Sequence, residues 1–322
     1  VYKRQVLGGE CEGQLLRLLV SPDRGTDRPD VTRSLEKLDF PVPQRASLPA
    51  LSSYAHLQIQ GEHRLAGYLE ATRGCRHLCR HCPLPAVYNG RLFAVPRETV
   101  LQDARQQIEA GARHLTFGDP DFLNAPGHGV RILHELHRQI PQVTFDFTAK
   151  IEHLNRHAGL LPGLASAGVL FVVTAVETLN DQILAILDKG HTQDDVRAAQ
   201  RVLQQAGIVM RPSLMPFTPW TRWRDLQDIL EWVSETDLVE SVDAVQYSIR
   251  LLVPRGSLLQ EHPAMVPHRG EYDEEGLTFL WEHEDVEIDV LQRDLMHLAE
   301  VAAERGDAPH ETFAAVWDMV QE

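Results

Sequence analysis

Three of the chain's four cysteines lie within eight residues, in the stretch C-R-H-L-C-R-H-C that covers residues 75–82. Thiolate is the soft ligand that iron–sulfur clusters require, and the C-x3-C-x2-C spacing suits a cluster held by three thiolates. The fourth iron would then have no protein ligand and could bind a small molecule. The spacing therefore predicts a catalytic iron–sulfur centre on Cys75, Cys79 and Cys82.

Three other interpretations compete for these cysteines. A zinc site could add His77 or His81 to them, but structural zinc sites usually use two separated ligand pairs, and the sequence has no second pair. A disulfide leaves at least one of three crowded cysteines unpaired. A chance group of buried thiols fits poorly, because Arg76 and Arg80 with the two histidines predict an electropositive loop. Such a loop lowers thiol pKa values and favours thiolates.

Composition indicates an ordinary globular protein. The chain has 322 residues, of which 43% are hydrophobic and 24% charged, which fits one large α/β domain with appendages or two small domains. No apolar run approaches the length of about eighteen residues that a membrane span needs, and no signal-peptide pattern opens the chain. Because three of four cysteines share one loop, we expect a reducing, cytoplasmic location.

The net charge is −15, from 46 acidic and 31 basic side chains. Such a surface repels phosphate backbones, so nucleic acid is a disfavoured partner. We expect a small-molecule substrate. The chain begins with valine, which suggests that the start of the protein lies outside this numbering.

A regular alternation of strands and helices begins near residue 60 and argues for parallel βα units. Right-handed crossovers would curl these units into a barrel or a doubly wound sheet, and the pattern alone does not choose. The predicted strands cover residues 65–71, 114–117, 143–148, 169–176, 208–214 and 242–251, and the predicted helices between them cover 97–110, 130–139, 160–167, 192–206 and 226–235.

The two ends of the chain have different patterns. A strand, glycine turn and helix open it, followed over residues 21–50 by a proline-rich linker or wrapped arm. Two further helices, over 285–305 and 310–319, suggest a helical cap over the barrel mouth or a substrate or partner domain. The expected units are an arm over 1–58, a barrel over 59–262 and a helical region over 263–322.

Polar residues follow the predicted strands, where parallel α/β barrels bind their ligands. The carboxylates at 119 and 121 could bind a cation, cap a helix or accept from an amine. Glu177 ends an apolar run, where an isolated carboxylate is costly without a partner. Lys150 and Arg211 offer cations, in binding sites or in ion pairs. The candidates are Gly118, Asp119, Asp121, Lys150, Glu177 and Arg211.

The cysteine motif, the G-D-P-D-F turn at 118–122 and the E-T pair at 177–178 together resemble the radical S-adenosylmethionine (SAM) superfamily. Within it, the opening G-G-E-C-E-G stretch is similar to the subgroup that has a cobalamin-binding-type N-terminal domain. The resemblance implies an α/β fold, a partial (β/α)6 TIM-like barrel with an N-terminal arm and a C-terminal helical extension. It also implies that the cluster loop follows the first strand.

The same resemblance implies a SAM-cleaving enzyme, a transferase, with a [4Fe–4S] cluster, SAM and an external one-electron reductant of the flavodoxin or ferredoxin type. A 5′-deoxyadenosyl radical would then modify the small-molecule substrate. Gly118, Asp119 and Asp121 would lie near the SAM amino group, and Glu177 near the ribose hydroxyls. Lys150 and Arg211 would face the SAM carboxylate, and His81 takes the place where the family usually has an aromatic residue near adenine.

Two points limit this resemblance. The cobalamin-anchoring D-x-H-x-x-G pattern is absent, so cobalamin is not supported, and Cys11 is interpreted as a free thiol. The chain also resembles radical SAM proteins with cysteine-rich tails, some of which transfer the 3-amino-3-carboxypropyl group of SAM to trivalent arsenic, but it has no such tail. The rival interpretations are a zinc-binding module and an iron–sulfur electron carrier.

Overall fold

The computed structural model describes residues 6–20, 31–54, 56–59 and 61–321. A small unit comes first, in which two short strands pair in parallel as a sheet of their own. The second of these strands, over residues 31–34, lies inside the segment 21–50 that was expected to be a linker or wrapped arm. Residues 21–30 of that segment are outside the described part. The elements of this unit are β1 (Val6–Gly9), α1 (Glu12–Val20) and β2 (Val31–Ser34).

The segment that follows, over residues 35–54, is a wrapped arm. Its main anchor is Arg45, whose guanidinium donates to both carboxylate oxygens of Asp103 at 2.8 and 2.7 Å. The same guanidinium donates to the backbone oxygen of Tyr68 at 3.0 Å. Because this bidentate pair is largely buried on the Asp103 side, it holds the arm against the barrel more firmly than an exposed ion pair would.

The barrel itself is built from alternating strands and helices. In chain order its strands are β3 (His56–Ile59), β4 (Glu62–Leu69), β5 (Thr72–Gly74), β6 (Leu92–Ala94), β7 (His114–Phe117), β8 (Thr144–Thr148), β9 (Val169–Glu177) and β10 (Val209–Leu214). Its helices are α2 (Leu84–Tyr88), α3 (Arg97–Glu109), α4 (Pro126–Gln139), α5 (Ile151–Arg156), α6 (Leu161–Ser166), α7 (Asp181–Leu187), α8 (Gln193–Ala206) and α9 (Trp223–Glu235).

The main sheet has the strand order β10-β9-β8-β7-β4-β3, parallel throughout except for the antiparallel β3–β4 pair. One face of each strand packs into the main core under the helices, as Leu115, Phe117, Phe145 and Phe147 do, all fully buried. Alternate residues such as Thr116 point to the opposite, concave face. The expected partial TIM-like barrel is confirmed, and the carboxyl ends of five parallel strands meet at one edge.

The sixth predicted strand, over 242–251, is wrong. Residues Ala244–Tyr247 form a 3-10 helix, and a single parallel bridge, Phe217 to Arg250, is all that continues the sheet there. The alternation that suggested a strand has another cause, because Tyr247 is buried under the C-terminal helices while Val245 is exposed. In a 3-10 helix, with three residues per turn, residues two apart lie on different sides, so Val245 and Tyr247 face different surroundings.

The C-terminal helices complete the main core beside α9. The elements are β11 (Tyr272–Asp273), β12 (Thr278–Phe279), α10 (Val286–Arg305) and α11 (Pro309–Gln321). Leu291 and Val316 of these helices belong to that core, and the Phe313 ring lies 5.8 Å from that of Tyr247. Arg250 lies in the segment wrongly predicted as the sixth strand. Its guanidinium carbon is 3.5 Å from the centroid of the Trp281 ring, and the guanidinium pairs with Asp289. No helix in the described ranges combines the length and apolarity needed to cross a membrane.

Two glutamine side chains cover the open edges of the parallel sheet. Beyond the β3 pairing, Tyr68 of β4 donates its backbone N–H to Gln107 Oε1 at 2.8 Å, and Gln107 Nε2 donates back to the Tyr68 oxygen at 2.9 Å. At the other edge, the Leu214 N–H of β10 donates to Gln246 Oε1 at 2.8 Å. An amide side chain thus supplies the hydrogen bonds that a further strand would have made.

We expect Gln107→Leu to lower the free energy of unfolding by about 1–3 kcal/mol, because it leaves the Tyr68 N–H without a partner and removes one of the two donors to the Tyr68 oxygen. Urea denaturation followed by circular dichroism measures the change. Gln102→Leu is the control, since Gln102 lies on the same helix but is exposed. Equal stability of the two variants would show that the Gln107 bonds are not needed.

Candidate functional site

The cysteine loop leaves the barrel at the carboxyl end of the first parallel strand, as expected. β4 ends, β5 pairs with β6, and the chain then enters the loop. Cys75 and Cys79 are buried and Cys82 is half-buried, and none of them forms a disulfide. The loop has no regular structure until α2, so its shape depends on bonds to other parts of the chain.

Asp119 fixes the start of this loop. Its carboxylate accepts the Ala71 N–H at 2.9 Å and the Thr72 hydroxyl at 2.5 Å. Burial raises the pKa of Asp119 to about 6, although these donors act in the opposite direction. Both oxygens are therefore already engaged with the root of the cysteine loop. The expected capping by Asp121 is also present, since its Oδ1 accepts the Leu123 N–H at 3.2 Å.

Gly118, which precedes this turn, is required by close packing. Its N–H donates to the Leu69 oxygen at 2.7 Å, which extends the β4–β7 pairing. A Cβ atom at this position would lie 1.8 Å from the Tyr68 hydroxyl oxygen. Since Tyr68 stands on the concave face, glycine is the residue that lets its ring lie across the end of β7.

The thiols of the loop differ from expectation in their protonation. Burial raises the pKa of Cys75, although Asn124 Nδ2 donates to its sulfur at 3.3 Å and acts in the opposite direction. Burial also raises the pKa of Cys82, with a further contribution from Cys79 and Cys75 and an opposing one from Lys189. The prediction that the loop lowers thiol pKa values is therefore wrong for Cys75 and Cys82.

The reason is where the basic residues of the loop point. Arg76 is exposed. Arg80 turns away from the sulfurs and donates to the carbonyl oxygens of Ala185 and Ile186 at 2.9 and 2.8 Å. The Arg80 backbone N–H also donates to the Leu187 oxygen at 2.9 Å, so the second half of the loop is bound to the end of α7. These contacts shape the loop and leave little positive charge directed at the thiols.

His77, Asp121 and His153 form a compact group beside the loop, with their ligand atoms within 4.8 Å of one another. Asp121 Oδ2 lies 2.7 Å from His153 Nδ1 and 3.5 Å from His77 Nε2. Burial would raise the pKa of Asp121, but the two histidines outweigh it and lower the pKa to about 2. Lys150 Nζ donates to His77 Nδ1 at 3.1 Å, which places the His77 proton on Nε2, facing Asp121. Although these atoms lie close together, Asp121 Oδ2, His77 Nε2 and His153 Nδ1 form no hydrogen bond of regular geometry, so the group presents three buried polar atoms without such a partner.

Glu177 has the partner that its position requires. It ends β9 with a left-handed backbone, φ 65°, and its side chain is buried. Lys189 Nζ donates to its Oε1 at 2.9 Å, and His81 Nε2 lies 3.2 Å from the same oxygen. Burial would raise the pKa of Glu177, but Lys189 and His81 hold it well below its ordinary value. His81 is therefore oriented by a carboxylate at the strand end.

The two predicted cations lie in different places. Lys150 is buried beside the cysteine loop. The Arg211 guanidinium instead lies 3.9 Å from the ring centroid of Phe171, which stacks on His114 at 5.8 Å. Phe171 pairs with Val209, two residues before Arg211, so this side chain points toward the amino ends of the strands. The structure thus brings the other candidates together and leaves Arg211 apart.

Sequence reasoning missed Lys189, His153 and Asn124, all of which contact candidate residues. One signal was available, because the chain has only four lysines among its 31 basic residues and two of them lie in this region. The donor set fits an iron–sulfur cluster: three buried or half-buried thiols share one loop, burial raises the pKa of Cys75 and Cys82, and a bound metal would stabilise the thiolates that burial disfavours.

His191, close to Lys189 and Lys150, leads to a prediction about how stability depends on pH. Burial lowers its pKa to about 4, with Lys189 and Lys150 adding to the effect, from a reference value of 6.5. The folded chain therefore keeps His191 neutral while the unfolded chain takes up a proton, and stability falls as pH drops from 6.5 toward 4. The loss from this group is about 3 kcal/mol.

In His191→Gln we expect a correspondingly smaller loss of stability over the same pH range, measured by urea denaturation. His63→Gln, at an exposed position, should keep the wild-type dependence. Identical pH profiles for wild type and His191→Gln would contradict the assignment.

Curated proteins that share one name are similar to this chain in sequence. The ribosomal protein uS12 methylthiotransferase RimO of Cereibacter sphaeroides is 26% identical over 211 residues, covering 61% of this chain and 44% of that protein. The RimO of Myxococcus xanthus is 23% identical over 227 residues, covering 66% of this chain and 45% of that protein. The chain therefore spans less than half the length of these curated relatives.

Solved structures share the fold. The apo form of the cobalamin-dependent SAM radical enzyme OxsB aligns over 88% of this chain and 49% of its own, with a TM-score of 0.63 and 16% identity. The radical SAM methyltransferase TsrM from Kitasatospora setae aligns over 61% and 38%, with a TM-score of 0.51 and 16% identity. The family model of the radical SAM superfamily matches residues 69–233, from the last residue of β4 into α9. With half of its length in that match and the cysteine loop inside it, the chain belongs to the radical SAM superfamily.

Proposed function

We propose that the chain is a SAM-cleaving radical enzyme in which Cys75, Cys79 and Cys82 hold a [4Fe–4S] cluster. The observation that carries the proposal is three unpaired thiols on one loop at the strand carboxyl ends, in a chain of the radical SAM superfamily. When bound, such a cluster supplies the electron that splits a carbon–sulfur bond of SAM. The electron would come from an external donor of the flavodoxin or ferredoxin type.

The residues around the loop supply complementary charges. Lys150 and Lys189 bring positive charge, and Asp121 and Glu177 bring negative charge, all of them buried. A bound amino acid group carries one ammonium and one carboxylate, which these charges match. We propose that Lys150 contacts the SAM carboxylate. Burial of these groups excludes water and strengthens each interaction.

We propose that Gly118 and Asp121 lie near the amino group of bound SAM, and that Glu177 and His81 lie near its nucleoside. Asp119 orients the loop, since both its oxygens accept hydrogen bonds from residues 71 and 72. Arg211 is left out of this set, because its guanidinium points toward the amino ends of the strands.

We propose a small molecule as the substrate. Outside the cysteine loop the sequence contains one further cysteine, Cys11, which is too few for a second cluster. The net charge of −15 also disfavours nucleic acid. RimO is named as acting on a ribosomal protein, so a protein substrate is the alternative that the relatives suggest.

Cobalamin is a separate point, because OxsB is named as cobalamin-dependent and a TsrM structure contains cobalamin. No D-x-H-x-x-G pattern occurs in residues 1–322. We propose that these residues do not themselves anchor cobalamin. The proposal concerns this stretch of sequence alone.

Replacement of the loop cysteines tests the cluster. Prepared without oxygen, the protein should be brown and contain about four irons per chain. Cys75→Ala, Cys79→Ala and Cys82→Ala should each lose the absorbance at about 400 nm and the iron, because a three-thiolate site has no spare ligand. Cys11→Ala is the matched control and should keep both. Zinc in the site, with no absorbance after reconstitution with iron, would refute the proposal.

The SAM product tests the reaction. We expect 5′-deoxyadenosine when the reconstituted, dithionite-reduced protein is incubated with SAM, because near-attack geometry selects which carbon–sulfur bond breaks and the superfamily as a whole favours this one. Liquid chromatography with mass detection measures the product. Dominant 5′-methylthioadenosine would instead indicate aminocarboxypropyl transfer, with arsenite as the first acceptor to try. If a cluster-loaded protein forms neither product, the result would favour the interpretation as an electron carrier.

A further inference from the structure

Two buried lysines are the unusual feature of this site. Only four of the chain's 31 basic residues are lysines, yet Lys150 and Lys189 are 9% and 4% exposed. Lysine is almost never fully buried unless it is paired, because removing an ammonium from water costs several kcal/mol. Lys189 is the more deeply buried of the two, and its partner Glu177 is 7% exposed. This pair therefore places two opposite, poorly screened charges at the ends of the parallel strands.

The pair is held rigidly. Lys189 Nζ and Glu177 Oε1 are 2.9 Å apart, and His81 Nε2 lies 3.2 Å from the same oxygen. Gly190, in the left-handed region with φ 71°, follows the lysine directly. A Cβ added at Gly190 would lie 3.2 Å from the Glu152 carboxylate, so the turn that carries Lys189 is tightly packed. The positions of both charges are thus set by the fold.

The pair also faces the second half of the cysteine loop. The Arg80 N–H donates to the Leu187 oxygen at 2.9 Å, and this binds the Cys79–Cys82 segment to the turn that carries Lys189. His81, which contacts Glu177, is the neighbour of Cys82 in sequence. Both charges therefore lie in the buried interior beside this half of the loop, where a charge is poorly screened.

We propose that the Lys189–Glu177 pair sets the reduction potential of the cluster, Lys189 raising it and Glu177 lowering it. The inference rests on the proposed function, which places that cluster on the cysteine loop. Reduction transfers one electron from an external donor and adds one negative charge to a site that already holds three thiolates. A buried ammonium stabilises the reduced form more than the oxidised form, and a buried carboxylate does the opposite.

Charge-neutral variants separate the two contributions. Reconstituted wild type, Lys189→Met, Glu177→Gln and the double variant are titrated in a spectroelectrochemical cell without SAM. The electron paramagnetic resonance signal of the reduced cluster is followed at about pH 7, between the ordinary pKa values of a carboxylate and an ammonium, so that the charge remaining in each single variant is favoured. We expect a potential more negative than wild type for Lys189→Met and more positive for Glu177→Gln. A tenfold change in the ratio of reduced to oxidised cluster at fixed potential corresponds to about 59 mV.

The double variant should return close to the wild-type potential, because it removes both charges. Lys37→Met, which removes an exposed lysine of the arm, is the matched control and should leave the potential unchanged. Opposite shifts for the two single variants distinguish electrostatics from a general loosening of the site, which would move both in the same direction. If Lys189→Met does not take up iron, the positive shift of Glu177→Gln decides alone.

The outcomes also separate this inference from the proposed function. A wild-type protein that binds no cluster removes the proposed function and the inference together. A cluster that assembles in all variants and titrates at one potential, or shifts in the same direction in both single variants, overturns the role of the pair and leaves the proposed function intact. Iron content and absorbance of each variant establish which case applies.

Discussion

The site depends on how an irregular loop with three thiols is held in one shape. Between β5 and α2 the loop makes no helix or strand bonds, and its partners come from distant parts of the chain. Asp119 binds its start, Asn124 its first sulfur and Leu187 the Arg80 N–H. The Ser257 hydroxyl donates to the Arg80 oxygen at 2.7 Å. Because parallel strands end at one edge, these partners meet there, and the barrel is the frame for the loop.

The buried carboxylates at that edge stay ionised because each has a partner of opposite charge or a histidine beside it. The sequence suggested a cationic loop acting on its own thiols, whereas the structure pairs Asp121 with two histidines and Glu177 with Lys189. Each carboxylate is ionised because its partner outweighs the cost of burial. The resulting network joins the loop to α5 and to the turn after α7. The same set of paired charges therefore both attaches the loop to the barrel and fixes its orientation.

Local sequence patterns predicted the bounds of single strands. The β7 bounds were predicted residue for residue, and β9 to within one residue, because a strand buried in a parallel sheet is an almost continuous apolar run between turn residues. The sixth predicted strand rested on a different signal, an alternation of apolar and polar residues over 242–251, and there Tyr247 is buried by packing under the C-terminal helices instead of in the sheet. Lys189 and His153 were missed because their partners are 12 and 32 residues away, and no periodicity reports such a pairing.

The glutamines at the two open edges of the sheet have a consequence beyond local bonding. A parallel sheet that stops short of closure presents backbone groups that could recruit a strand from another molecule, the usual route to edge-to-edge aggregation. Gln107 and Gln246 occupy those groups with side-chain amides. At these two places the half-barrel thus offers fewer free backbone groups for strand addition, although the sheet stays open and its concave face uncovered.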